Sequence, residues 1–427
     1  MASVSLCCAV SCIGQIPNAG LVVHFVNGLW FDGTRFAPDD FYAEGGDLTH
    51  RPHERRSYET VDLRGGFVVP PYGDAHEHNF DSLTGTPAVS TSYLRDGIFY
   101  AQGMTDNIPG AQAVVAAGMV DTPSTVDVTY AHGAITALQG HPKEVYESIA
   151  NGFYYPSTPE QKALVLSSNK REGVAFWQID SPAELDAKWP KILATKPDLI
   201  KIILTDSEHF TADSHAHPVL GKGLDPALVP LVTAKAHAAG LKVAAHVDTA
   251  TDVHIALVGG VDELGHMPGY YLGAKDDPAT VRISDSDISL MAKGHVTLQA
   301  TAGIYTDEHT SADDLKARQA AQRENLRRIK AAGITVVVGS DHYGQDSVHE
   351  ADYLQALGIW SNLEMLRMWS IATPKDVFPK RKIGELKEGY EASFLVLKAN
   401  PLEDWSAVHQ IQDRWKQGQR IVVPEKP

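Results

Sequence analysis

Asp74-Ala75-His76-Glu77-His78, entered through Gly65-Gly66-Phe67-Val68-Val69-Pro70-Pro71, is the stretch on which the reading of this chain turns. In extended backbone, residues two apart point to the same side, so His76 and His78 deliver both imidazoles to one place. Four more polar residues sit within or just after short β-branched or apolar runs. They are Lys201 inside Leu199-Ile200-Lys201-Ile202-Ile203-Leu204, His246, His266 and Asp341, the last after Val336-Val337-Val338-Gly339-Ser340. Four imidazoles, a carboxylate and a lysine arriving in this order at strand ends suit one metal centre better than packing. Enzymes of the (β/α)8 type carry their chemistry at the C-terminal edge of the strands.

Outward from these motifs, short apolar runs alternate with helical periodicity. Strands are expected at 68–72, 97–103, 126–132, 199–205, 241–246, 261–266, 296–300 and 334–340, with helices at 226–239 and 312–332 among those between them. Such runs are too apolar for a half-exposed sheet and fit a parallel sheet covered by helices. Eight units imply an α/β fold with a closed (β/α)8 TIM barrel over 69–373. Strands expected at 21–36 and 58–63, before the barrel, and at 392–397 and 420–423, after it, pair most naturally with each other. They predict a small β-sandwich module from 20–68 plus 374–427.

The 427 residues suffice for a large barrel and a second module. A formal charge of −16 argues against nucleic acid and anionic membrane surfaces as partners. The expected partner is a small-molecule substrate, with a homo-oligomer left open. Cys7, Cys8 and Cys12 are the only cysteines, so any metal in the folded body takes nitrogen and oxygen ligands. Residues 1–19 read either as a disordered leader or as a signal remnant without its basic start. The second reading would make the protein exported or periplasmic, the first cytoplasmic. No apolar run reaches the ~18 residues of a membrane span.

Lys201 is the unusual member of the set. Burial lowers a lysine pKa and frees its amine as a nucleophile. Such an amine can take up carbon dioxide and become a carbamate, an oxygen ligand able to bridge two cations. It can instead pair with Asp74, Asp341 or a substrate carboxylate, or form a Schiff base. At its strand end Asp341 can both ligate a metal and accept a proton from water.

With these residues the chain resembles the amidohydrolase superfamily, in its imidazolonepropionase-like or prolidase-like branch. The family pattern of His-x-His, carboxylated Lys, two single His and Asp falls on His76, His78, Lys201, His246, His266 and Asp341. The return segment 383–397 followed by Asn400-Pro401-Leu402 also matches. The resemblance implies a hydrolase with two divalent ions, zinc suiting the donors best. His76, His78 and Asp341 would hold one ion, His246 and His266 the other, and Lys201 with a hydroxide would bridge them. It also implies a histidine after the third strand that steadies the substrate carbonyl; His141 fits best, and His132 competes. His209, in the long segment 205–221, is a further candidate substrate contact. By the resemblance alone, dipeptides or N-acyl amino acids are the first substrate class. A lactonase, esterase or phosphotriesterase on the same centre is the alternative, and a Schiff-base lyase using Lys201 is a rival of another class.

Overall fold

The computed structural model of the chain describes residues 22–52, 58–210, 220–306 and 310–424. The leader expected at 1–19, with all three cysteines, lies outside the described residues, as do His215 and His217.

Val22–Phe31 is an alternating strand that reverses at Asp32, whose carboxylate accepts the amides of Thr34 and Arg35 at 2.8 and 2.9 Å. The returning strand, Phe36–Glu44, pairs with it antiparallel. The run expected at 21–36 is therefore one strand and its turn, an Asp-Gly reversal of the kind that makes hairpins. Tyr58–Asp62 and Phe67–Val69 join the other edge in parallel. Phe67–Val69 then pairs antiparallel with Phe394–Leu397, which continues through Ile411–Lys416 to Gln419–Arg420. One eight-stranded sheet thus uses both ends of the described chain. Its apolar core includes Phe25, Trp30, Phe41, Phe394 and Trp415, with Phe25 edge-on to Phe394 at 4.8 Å.

Pro70-Pro71 separates this sheet from the first barrel-type strand, Tyr72–Glu77. The sequence places that strand at 68–72. Two prolines lack the N–H groups a continuous ladder needs, so 67–69 stays with the terminal sheet and the histidine motif itself becomes strand. Tyr72–Glu77, Ile98–Gly103 and Asp127–Tyr130 form a parallel three-stranded sheet. Leu199–Ile203, Lys242–His246, Glu263–Leu264, Thr297–Gln299 and Val336–Val337 follow as consecutive parallel neighbours in a second sheet, extended by Ala134–Thr136 and Phe176–Gln178. Backbone bonds also join the sheets: Asp198 N–H to Tyr130 O at 2.8 Å, Ala75 N–H to Val338 O at 2.8 Å and Asp341 N–H to His76 O at 2.7 Å.

Helices alternate with the strands. Val229–Ala238 follows a short turn of helix at Pro226–Leu228, and Ala312–Ala331 starts at Ser311, whose hydroxyl accepts the Asp314 amide. Ala250–Val258 opens on a reciprocal cap between Thr249 and Asp252. Their inner faces, with Val232, Ala256, Leu326 and Ile329, pack on the strand residues Ile200, Ile202, Val243 and Leu298. Among the described residues no helix is long and apolar enough to cross a membrane.

Candidate active site

The strand ends converge as their residue order predicts. His76, at the end of Tyr72–Glu77, is buried, and its Nδ1 lies 3.1 Å from Gln299 Oε1. Gln299 donates its amide N–H to Glu263, which fixes the oxygen toward His76 and leaves Nε2 to face inward. His78 donates from Nδ1 to the Thr105 carbonyl at 2.9 Å. His266, one residue past the Glu263–Leu264 strand and its glycine, holds Thr301 Oγ1 with Nδ1 at 2.8 Å. His246 closes Lys242–His246 and stacks edge-on against His266, ring centres 4.3 Å apart.

Asp341 sits at the centre of this group. The backbone there adopts φ 48°, held by the bond from its N–H to His76 O. Its Oδ1 is 3.0 Å from His78 Nε2 and 3.5 Å from His76 Nε2, and its Oδ2 is 3.4 Å from His266 Nδ1. Burial pushes its carboxyl up, but His76, the His78 contact and Lys201 outweigh this and hold it well below the usual carboxylate range. Burial, reinforced by neighbouring positive groups, pulls His76 and His266 well below the ordinary imidazole value, so both rings are neutral. His76, His266 and Asp341 each offer one donor atom within 4.8 Å of the others.

The donor set fits a cation on two observations. His78 Nδ1 meets the Thr105 carbonyl at 2.9 Å and its Nε2 faces an Asp341 oxygen at 3.0 Å, a nitrogen and an oxygen of the kind that hold a divalent ion. The second observation is Lys201. It is 2% exposed in the strand Leu199–Ile203, and its amine has no hydrogen-bond partner. Burial brings its pKa down to about 8, against the upward pull of Asp341 and Glu263. A buried amine without partners is costly as a bare ammonium. As a carbamate it becomes an anionic oxygen donor.

A cavity of ≈ 880 Å³ opens above these residues and reaches His141. His141 engages Glu144 through Nδ1 and lies 5.1 Å, ring to ring, from His246. Burial lowers its pKa, but Glu144 more than offsets this and raises it above the ordinary imidazole value. His132 does not line this cavity. The chain takes a left-handed turn there (φ 59°), and the ring stacks on Tyr130 beside a separate cavity with Asp127 and Arg381. His209 is exposed, bound to Asp206, and likewise off the cavity.

Other contributors escaped the sequence reading. Asp248 holds His246 Nε2 at 3.0 Å and accepts the Tyr270 hydroxyl. Glu144 is His141's partner, and Gln299 and Thr301 orient two of the central imidazoles. Six tyrosines line the cavity. Tyr146 lies on the helix Lys143–Ala150 and the other five on connecting segments without periodicity, where only the pairs Tyr154-Tyr155 and Tyr270-Tyr271 would have marked them.

The sequence model described as the Amidohydrolase family matches residues 67–421. A curated relative, ochratoxinase of Aspergillus niger, is 27% identical over 240 residues, 55% of this chain and 43% of that protein. The match therefore spans less than half of the relative's length. The crystal structure of A. niger ochratoxinase superposes with a TM-score of 0.71 at 16% identity, covering 95% of this chain and 97% of that one. A Xaa-Pro dipeptidase with bound methionine in its active site gives 0.67 at 17% identity, over 93% and 99%. Phenylurea hydrolase B gives 0.70 at 16% identity, over 95% and 98%. At these identities the superpositions speak for the fold alone.

Proposed function

The chain belongs to the amidohydrolase family, and on that premise we propose that it is a metal-dependent hydrolase of small-molecule amides. The observation that carries this reading is the convergence of His76, His78 and His266 on Asp341 beside the unpartnered Lys201 amine. His76, His78 and Asp341 would hold one divalent cation, His246 and His266 a second, and Lys201 as a carbamate would join them. Zinc suits these nitrogen and oxygen donors. Bound there, the ions would lower the pKa of water and polarise the scissile carbonyl.

The chain's own residues account for the rest. Asp341 takes the proton of the attacking water and returns it to the leaving nitrogen. The acyl carbon gains hydroxide, the C–N bond breaks, and the amine leaves neutral. His141, with Nδ1 engaged by Glu144, keeps Nε2 free to donate to the carbonyl oxygen as charge develops on it. Gln299 and Thr301 hold the central imidazoles in their tautomers. Dipeptides and N-acyl amino acids are the first class to test, and relatives named for ochratoxin, Xaa-Pro and phenylurea substrates all point to C–N bonds. The eight parallel strands are read as one closed barrel over 69–373, supported by the bonds from Ala75 to Val338 and from Asp341 to His76. The terminal sheet is read as a sandwich-like module over 20–68 and 374–427.

The test is elemental analysis joined to an amide-hydrolysis screen. The reading expects about two divalent ions per chain, loss of turnover on chelation and recovery with zinc. The Schiff-base alternative expects borohydride trapping of Lys201 and no effect of chelator, and that outcome would overturn the hydrolase.

A further inference from the structure

Two aromatic walls rise from the histidines of the site. On one side Tyr343 lies 5.5 Å from His78, and Tyr154 stands perpendicular to Tyr343 at 6.1 Å, with Tyr155 beyond it at 5.6 Å. On the other, Tyr270 lies 5.0 Å from His266, and Tyr305 stacks on Tyr270 at 6.0 Å, nearly parallel. Tyr154, Tyr155, Tyr305 and Tyr343 are each 40–58% exposed in a cavity that leads to the carboxylate.

Among the described residues no lysine or arginine stands between the two walls. Of these residues Lys201 is the sole lysine or arginine lining the cavity, and that amine belongs to the floor of the site. A substrate carboxylate held between the walls would lose its water with no lysine or arginine beside it, since the positive charge of the site lies at the floor, around His141 and the proposed ions. An aromatic ring, by contrast, gains faces and edges on both sides and can leave a polar substituent to a phenol hydroxyl.

Building on the hydrolase reading, we infer that the cavity selects uncharged aryl substrates, with a ring next to the scissile amide seated between the Tyr343–Tyr154 and Tyr270–Tyr305 walls. This narrows the amide class to ring-bearing members without a free carboxylate near the ring. It runs against the free dipeptide.

Three ligands of matched amide chemistry test it: 2-phenylacetamide, 2-cyclohexylacetamide and phenylacetamide bearing a para carboxylate. A methylene insulates the amide in each, so ring and charge vary while bond reactivity does not. Calorimetric binding to metal-loaded and metal-free protein, with turnover by the loaded form, is measured for all three. The phenyl compound is expected to bind at least about tenfold tighter than the other two, in the metal-free protein as well. Tyr154→Ala with Tyr343→Ala should erase that margin, and the Tyr→Phe pair should keep most of it. Equal or tighter binding of the carboxylate or the cyclohexyl compound overturns the inference, as does no saturable binding by any of them. Ring preference without turnover of any amide would count against the hydrolase and leave the cavity's selectivity standing. Turnover without ring preference would do the reverse.

Discussion

The Lys201 amine lies 2.5 Å from the point where a β-carbon on residue 265 would sit, and residue 265 is glycine. The φ of Gly265 is outside the left-handed region, so alanine there is not strained by its backbone conformation. The tip of Lys201 must move, and the Ala245 carbonyl, 3.1 Å from the same point, must give by a few tenths of an ångström. Gly265→Ala is expected to fold with a near-parental melting temperature, to hold less metal and to lose about 10²-fold in turnover, the scale of a ~1 Å misplacement at a reacting centre. Thermal melts, elemental analysis and kcat on one preparation check this. Full turnover would mean that the amine's position does not matter.

Asp341→Asn keeps the size of the side chain and removes both its charge and its capacity to accept a proton. Turnover should fall by about 10²–10⁴ while KM changes little. Metal content is measured alongside, because the same carboxylate is a proposed ligand. A variant that retains its metal and its rate would remove Asp341 from proton transfer.

His141 and Glu144 should behave as a unit. His141→Ala is expected to cost about 10² in kcat with metal content intact, the scale of losing one donor to a developing oxyanion. Glu144→Gln should cost less and shift the pH–rate profile, because the carboxylate sets the imidazole's charge. Unaltered kinetics in both variants would exclude the pair from the reaction.

Asp106 offers a test of stability away from the chemistry. It is fully buried, and neither carboxylate oxygen meets a hydrogen-bond donor. Burial, then Glu77 and Asp81, push its carboxyl well above the ordinary range. A carboxyl whose folded pKa is raised contributes stability that is fully present below its unfolded pKa and is lost as pH rises through the folded value. Asp106→Asn should therefore flatten the decline in stability that sets in as pH rises above the ordinary carboxylate range. Denaturant titrations of both proteins over a series of pH values decide it. An unchanged slope would assign that decline to other groups.

The site residues were legible because they stand within or just after short strand-like runs, most plainly Lys201 inside Leu199–Ile203 and Asp341 after Val336-Val337-Val338. His76, His78, Lys201, His246, His266 and Asp341 meet at one place in the structure. The location of the first strand was less legible, since two prolines move the sheet boundary while the hydrophobic run continues across them. The sequence favours His141 over His132 without excluding the latter, and in the structure the chain turns left-handed at His132 while His141 lines the cavity. The tyrosine walls were illegible. Their members stand on irregular segments far apart in the chain, and only the fold makes them neighbours.

The sheet that joins both ends of the described chain also sets an order in time. Phe67–Val69 pairs with Phe394–Leu397, which leaves the ribosome 394 − 67 = 327 residues later. At roughly 10 residues per second that is about half a minute. During that interval the strand Phe67–Val69 presents an unpaired edge while the barrel-type strands are still being made. Chaperone demand during synthesis, and the solubility of chains that stop before residue 394, should follow from this one pairing more than from anything at the catalytic end of the molecule.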